Sequence, residues 1–263
     1  SDLHDGRLRI GYVSGDFREH ATAHLTRKLF QVHDRRRFEI IGFSLHLDDH
    51  SRYRRDIADG CDRFVELVGL THAEAAQRVA DEGIHILVDL HGYTRFARPE
   101  LFALRPAPVQ AAFLGYPGTL GADYIPYIVA DPVVLPEQLR PWFTEQPIYV
   151  DCYQVNDDEQ PVAETGLTRT DVGLPETGFV YCCFNKFSKI DPQTFTAWMR
   201  ILKQTPESVL WLLADNPHGA DRLRREAEAQ GVDQMRLIFA PRLPKNQHFE
   251  RYRLADLVLD TFI

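Results

Sequence analysis

Asn185-x-x-x-Lys189-Ile190-Asp191-Pro192 follows directly on the apolar run Tyr181-Cys182-Cys183-Phe184. Proline suits the first position of a helix, so the segment reads as strand, short turn and helix, with Lys189 delivered at the carboxyl edge of a sheet. Open α/β folds bind ligands at that edge. A lysine there could answer a diphosphate, and an ordinary helix-flanking lysine in solvent fits the same residues. His20 and His24 are spaced i, i+4 and on a helix would share a face. That spacing can ligate zinc, but the glutamate after the first histidine and a third ligand are both missing, so no metal is expected. Asp16 and Asp89 stand at strand ends, where a carboxylate serves as a helix cap or a sheet-edge hydrogen-bond acceptor. Leu114-Gly115 also follows a strand; glycine lets a ligand approach the backbone closely, and a plain tight turn through Pro117-Gly118 explains it equally. Leu243-Pro244-Lys245-x-x-His248-x-x-Arg251 sets three basic side chains at helical spacing on one face, which by itself reads as an exposed basic helix start.

The elements that must position these residues follow a β-α-β rhythm. Strands are expected at 8–14, 38–44, 84–90, 109–114 and 127–130, with helices at about 22–32 and about 72–82. Thr71-x-x-Glu74 has capping-box spacing, and Ile84-His85-Ile86-Leu87-Val88-Asp89-Leu90 is a near-continuous apolar strand of the kind covered on both faces in parallel sheets. From Gln154 to Thr177 the periodicity lapses into polar residues with Pro161 and Gly166. A domain boundary is placed there, giving domains 1–155 and 156–263. The rhythm then resumes with strands at 178–184, 208–213, 236–239 and 257–260, and helices at about 192–204, 219–230 and 245–253. The last strand has no helix after it to cover it, so the second domain is expected to be incomplete. Two such halves in tandem imply a cleft between them.

Composition narrows the function classes. A net charge of −8 argues against a nucleic-acid surface, and the only basic run, Arg35-Arg36-Arg37, reads as a solvated turn. The four cysteines, at 61, 152, 182 and 183, have neither metal-ligand nor disulfide-framework spacing, which fits a reducing, cytoplasmic home. No apolar run reaches membrane-spanning length.

Taken in order, Asp16-Phe17-x-x-His20-x-x-x-His24-Leu25, Gly92-Tyr93-Thr94, the run Leu101 to Gln110, Leu114-Gly115-Tyr116-Pro117-Gly118-Thr119, Asn185-x-x-x-Lys189-Ile190-Asp191-Pro192, Pro244-Lys245-x-x-His248-x-x-Arg251 and Asp260-Thr261 closely resemble the catalytic region of the O-linked N-acetylglucosamine transferases, glycosyltransferase family 41. The resemblance implies a GT-B architecture, two Rossmann-like domains facing a cleft, the second incomplete in this chain. It implies inverting transfer of N-acetylglucosamine from UDP-GlcNAc to Ser/Thr hydroxyls of a protein or peptide acceptor, with no metal or other cofactor. By the same resemblance Lys189 contacts the donor diphosphate, His20 lies near sugar and acceptor, and Leu114-Gly115 borders the N-acetyl sugar. Lys245 contacts ribose, His248 stacks on uracil, the Leu243 backbone reads uracil edges, and Arg251 joins them in the donor set. Histidine has a suitable pKa for a general base, but orientation of the sugar is preferred for His20. Lys186 stands where animal members have glutamine and adds a donor-side charge; Pro126 replaces an expected acidic residue and removes a backbone donor. The family also implies tetratricopeptide repeats ahead of this region, a bacterial homologue on account of the short polar linker, and a diphosphate-gripping block expected beyond Ile263. Relatives using GDP-fucose, or glycosylating asparagine with a hexose, and a catalytically silent nucleotide-sugar scaffold are the alternatives.

Overall fold

Seven parallel strands build the first sheet and four the second, as expected for an α/β chain whose strands are apolar on both faces. The structure, a computed structural model, describes residues 6–157, 159–214 and 216–262. The chain divides into two units, Ser1–Asp158 and Glu159–Ile263.

In the first unit the strands are β1 (Leu8–Ser14), β2 (Phe38–Ser44), β3 (Arg63–Glu66), β4 (Ile86–Asp89), β5 (Val109–Ala112), β6 (Tyr127–Ala130) and β7 (Gln146–Tyr149). Their order across the sheet is β3-β2-β1-β4-β5-β6-β7. Helices α1 (Ala21–Thr26), α2 (Arg52–Asp59), α3 (His72–Asp81) and α4 (Pro99–Ala103) alternate with them. Alternation along the strands sends Val13, Phe43 and Leu87 into one core and Ile10, Tyr12, Ile40 and Val88 into another on the opposite face. The direction of winding reverses between β1 and β4, and doubly wound sheets bind ligands outside the strand ends at such a switch point.

In α3 the expected capping box is formed: the Glu74 amide donates to Thr71 Oγ1 at 3.3 Å, and the Thr71 amide to Glu74 Oε2 at 2.8 Å. Helix α1 is shorter than the 22–32 expected. After Thr26 the backbone tightens into i→i+3 bonds, Leu29 to Thr26 and Gln31 to Lys28, while Arg27 is held by Asp157 at 2.6 and 2.9 Å and by Asp56 at 2.8 Å. Pro126 donates nothing, but its carbonyl accepts from the Gln146 amide at 2.7 Å and so opens the β6–β7 ladder.

The second unit contains β8 (Phe179–Cys183), α5 (Pro192–Gln204), β9 (Ser208–Leu213), α6 (Pro217–Ala229), β10 (Leu237–Ala240), α7 (Lys245–Arg251) and β11 (Leu257–Val258). The sheet order is β10-β9-β8-β11, so its switch point lies between β8 and β11. Tyr181 and Cys183 face a core under α5, while Val180, Cys182 and Trp211 face the other side.

Candidate functional site

In the first unit the chain leaves β1 at Ser14 and turns through Gly15 and Asp16, which the fully buried Phe17 pins to the core. His20 then caps α1 in extended conformation, with φ −152°. It is therefore outside the helix, and the expected sharing of a helix face with His24 does not occur. His24 turns away instead, its Nε2 2.7 Å from Glu19 Oε1 and its ring 4.3 Å from that of Tyr53. Asp16 is not a helix cap: its Oδ1 accepts from Arg18 at 3.3 Å and its Oδ2 lies 3.2 Å from His20 Nδ1. Asp89, by contrast, is the acceptor expected of it, taking the amides of His91 at 2.9 Å and Gly92 at 3.0 Å. Burial pushes its carboxyl up to about 6 against those two bonds.

His91 is a residue that sequence reasoning did not single out. It sits at the carboxyl end of β4, is 1 % exposed, and its Nε2 takes the Gly15 amide at 2.6 Å. A histidine after a strand carries no spacing signal linking it to Gly15, 76 residues away. Burial lowers the pKa of His91 below its ordinary value despite the pull of Asp16, and the same cause lowers those of His20, His33 and His248. Groups held neutral in the folded state contribute stability that is full above their unfolded pKa of about 6.5, begins to be lost as pH falls below it, and is gone once pH has fallen through the lower folded value. Asp89 works in the opposite sense, but only below about 6 and as one group against four. The urea midpoint of unfolding is thus expected to fall between about pH 7.5 and about pH 6, and an unchanged midpoint would show that these histidines are free to protonate.

The other wall of this site comes from the end of β5. Leu114 adopts φ +65° within a three-residue turn in which the Gly115 amide donates to the Phe113 carbonyl at 2.8 Å. Positive φ at a leucine costs on the order of 1–3 kcal/mol and persists only where the surroundings enforce it. Gly115 has no alternative: a Cβ there would stand 1.9 Å from the Leu90 carbonyl oxygen. Gly115 lines a cavity of about 230 Å³ together with Asp16, Arg18, His20 and Thr94, while the Leu114 side chain is buried behind it. The first unit thus brings His20 and Gly115 together at the switch point.

In the second unit β8 ends at Cys183 and a single 3-10 turn, Phe187–Lys189, follows. Lys186 caps that turn and Lys189 closes it; the Lys189 amide donates to the Lys186 carbonyl at 3.0 Å, and both side chains are exposed. Neither ammonium makes an ion pair among the described residues. Asp191 caps α5 by accepting the Thr194 amide at 2.9 Å, with Pro192 at the first helical turn as the sequence implies. Asn185 Nδ2 reaches Asp260 at 3.0 Å and Thr261 at 3.2 Å, tying the end of β8 to the residues after β11.

The basic residues around α7 separate. Lys245 is half-buried with its ammonium 5.7 Å from the Phe249 ring centre, and His248 packs edge-on against Phe184 and Tyr252. Arg251 overturns the expectation of an exposed basic face. It is 1 % exposed, its guanidinium lies 3.9 Å over the Phe184 ring, and its Nη1 donates to the Pro241 carbonyl at 2.7 Å. An aromatic face and a carbonyl are what a buried guanidinium needs to offset lost hydration. Leu243 and Arg251 line a cavity of about 510 Å³ with Trp211, and Arg251 Nε and Trp211 Nε1 have no hydrogen-bond partner among the described residues. Among the described residues no group of three or more His, Cys, Asp or Glu side chains is placed to hold a metal ion, and no helix is long and apolar enough to cross a membrane.

The sequence profile of glycosyl transferase family 41 matches residues 1–163 and 154–263. The chain belongs to that family. Its relatives in the family include a probable UDP-N-acetylglucosamine–peptide N-acetylglucosaminyltransferase, SEC, of Arabidopsis thaliana, 39 % identical over 261 residues, 97 % of this chain and 27 % of the relative. The UDP-N-acetylglucosamine–peptide N-acetylglucosaminyltransferase of Caenorhabditis elegans is 29 % identical, covering 97 % of this chain and 32 % of the worm protein. Among solved structures, a mutant O-GlcNAc transferase of Thermobaculum terrenum superposes with a TM-score of 0.88 at 29 % identity, over 98 % of this chain and 49 % of its own. The chain thus spans about a third or less of the length of these two curated relatives, and its fold is that of the family's GT-B glycosyltransferases.

Proposed function

We propose that this region serves an inverting transferase that moves N-acetylglucosamine from UDP-GlcNAc to Ser/Thr hydroxyls of a protein or peptide. The observation that carries the reading is the placement of two exposed ammonium groups, Lys186 and Lys189, neither in an ion pair among the described residues, on one turn at the switch point of the second sheet. In the reaction the bond from the anomeric carbon to the UDP oxygen breaks as the acceptor oxygen forms its own bond from the opposite face. The electron pair departs with UDP, whose diphosphate gains charge, and the hydroxyl proton leaves to a base. Fixed cations aimed at the departing oxygens are the largest single contribution to lowering such a barrier. Lys189 is assigned that role and Lys186 a supporting one, which is why no divalent metal is required in this reading.

By the family resemblance, His20 and Gly115 are assigned to the sugar and acceptor. Lys245 holds ribose, and uracil lies against His248 and the Leu243 backbone. Arg251 keeps its place in the donor set: it lines the same cavity as Leu243, while its Nη1 holds the Pro241 carbonyl and its guanidinium lies over Phe184. Four free cysteines support a reducing cytoplasm, and the short polar stretch between the units supports a bacterial homologue. Tetratricopeptide repeats ahead of this region complete the proposed protein.

Calorimetry on the full-length protein tests the donor assignment: UDP binds with EDTA present and GDP binds weakly. Affinity lost with EDTA and restored by manganese, or a preference for GDP, contradicts it. Lys186→Gln should weaken UDP binding by about 1 kcal/mol, roughly fivefold, the size of a partly solvated charge contact. Unchanged affinity would mean that Lys186 points away from the diphosphate.

A further inference from the structure

Helix α7 carries Lys245, His248 and Arg251, yet it has no buried apolar side chain to fix it in place. Of its seven residues only Glu250 and Arg251 are buried, and no side chain caps its first turn. A surface helix ordinarily takes its position from an apolar stripe. Here two buried charges at the carboxyl end stand in for that stripe. Arg251 ties the helix to the Pro241 carbonyl and the Phe184 ring. Glu250 ties it to the polar stretch that precedes the second sheet.

The contacts of Glu250 are dense. Its Oε1 accepts the Thr165 amide at 2.7 Å and the Gly166 amide at 3.2 Å, and the Thr165 hydroxyl lies 2.9 Å from Oε2 and 3.1 Å from Oε1. Gly166 has φ +75°, a backbone conformation that glycine adopts without strain. Successive amides that converge in this way form a hollow suited to an anion. Burial alone would push the Glu250 carboxyl up, but the contacts from Thr165, Leu167 and Gly166 together hold it below its ordinary value. One turn earlier the Asn246 carbonyl takes the Ala163 amide at 3.0 Å. Residues 163–166 thus run as a strap along one side of α7. His248 stands two positions before Glu250, which at about 3.6 residues per turn sets the two on opposite sides of the helix. On that far side His248 packs against Phe184 and Tyr252.

Resting on the proposed transferase reading, we propose that Glu250 is a positioning residue: by gripping Thr165 and Gly166 it fixes α7 so that Lys245 and His248 stand ready for the nucleoside of the donor. Glu250 itself touches no donor atom in this account. Its effect passes through the helix, so occupancy of one side and order in the strap on the other must favour each other equally.

Calorimetry with UDP on the intact protein tests this in Glu250→Gln. The amide keeps the size of the side chain but loses its charge, and charge-assisted hydrogen bonds are roughly twice as strong as neutral ones. The UDP dissociation constant is expected to rise about tenfold, as it does when a helix holds its binding position one-tenth of the time, with one site per chain retained. The KM for UDP-GlcNAc should rise in step while kcat at saturating donor stays near the wild-type value. A purely structural role gives the reverse, fewer sites and lower kcat at an unchanged dissociation constant, and that result overturns the proposal. Hydrogen exchange on the wild-type protein decides the matter even if the variant does not fold. Saturating UDP should slow exchange at the Thr165 and Gly166 amides by about the same tenfold; exchange there that ignores UDP overturns the role of the strap. Wild-type protein that binds no UDP defeats the proposed function and this role with it, whereas equal UDP affinity in wild type and Glu250→Gln defeats this role alone.

Discussion

Replacing Lys189 by methionine in the full-length protein is expected to abolish measurable transfer to peptide and to slow hydrolysis of the donor alongside it. Both reactions expel UDP, so a group that stabilises the leaving diphosphate must appear in both. Lys189 closes the turn after β8, exposed and without an ion pair among the described residues, so its charge is free for the ligand rather than spent on a neighbour. Removing one such preorganised group costs about 100- to 1,000-fold in rate. Methionine keeps most of the stem's length, so the fold should be untouched. His20→Ala should lower transfer less. If His20→Ala proves the more damaging change and donor hydrolysis by Lys189→Met is normal, the roles assigned to the two residues are reversed.

Gly115→Ala is expected to be nearly as damaging, through a different cause. The new methyl would fall 1.9 Å from the Leu90 carbonyl oxygen, and Leu90 has no room to retreat: it is fully buried and its amide is bonded to the Val13 carbonyl at 3.1 Å. Relief must come from the turn that follows β5, already strained at Leu114, or from displacing His91, the residue after Leu90, and with it the Gly15–Asp16 segment. Overpacking of this kind costs about 3 kcal/mol, at the upper end of what buried sites tolerate. For a domain of this size that lowers the melting temperature by roughly 6–12 °C. Thermal melting and peptide transfer should both fall while UDP affinity, assigned to the second unit, is retained. A variant with wild-type melting and transfer would show that the turn at Leu114 moves aside freely.

The strands that could be read from the sequence are those buried on both faces. Phe38–Ser44, Tyr127–Ala130 and Ser208–Leu213 keep the bounds expected of them, because continuous apolar runs have no other place to go. The strands that escaped notice are the two sheet edges. In β3 two of four residues are charged, and β7 carries Pro147, both marks of an edge that is kept from pairing further. Helix α2 also went unread: only Ile57 and Arg54 are buried on it, and Arg54 is an arginine whose Nη1 reaches the Phe17 carbonyl and Ser44 Oγ while its guanidinium lies 4.3 Å from the Phe64 ring centre.

The site divides in the same way. The placement of Lys189 after β8 is legible because a strand, a lysine and a helix-starting Asp-Pro follow one another locally. The contact of Asp16 with His20 was hidden, since i, i+4 spacing suggests a shared helix face and here one residue lies in a turn and the other caps the helix. His91 reaches Gly15 only because β1 and β4 are neighbours in the sheet, a fact of topology rather than spacing. The burial of Arg251 is not legible in the sequence because arginines are rarely buried, and nothing local announces that Phe184 and the Pro241 carbonyl will meet it.

The central claim is tested most directly by incubating the full-length protein with a panel of Ser/Thr-containing peptides and either UDP-GlcNAc or GDP-fucose, with EDTA present throughout, and reading the products by intact-mass spectrometry. The account predicts that peptide gains the mass of one N-acetylhexosamine from UDP-GlcNAc, that the modified residue maps to serine or threonine, and that Lys189→Met yields no product. Modification from GDP-fucose alone, modification of asparagine, or product formation undiminished in Lys189→Met would contradict it.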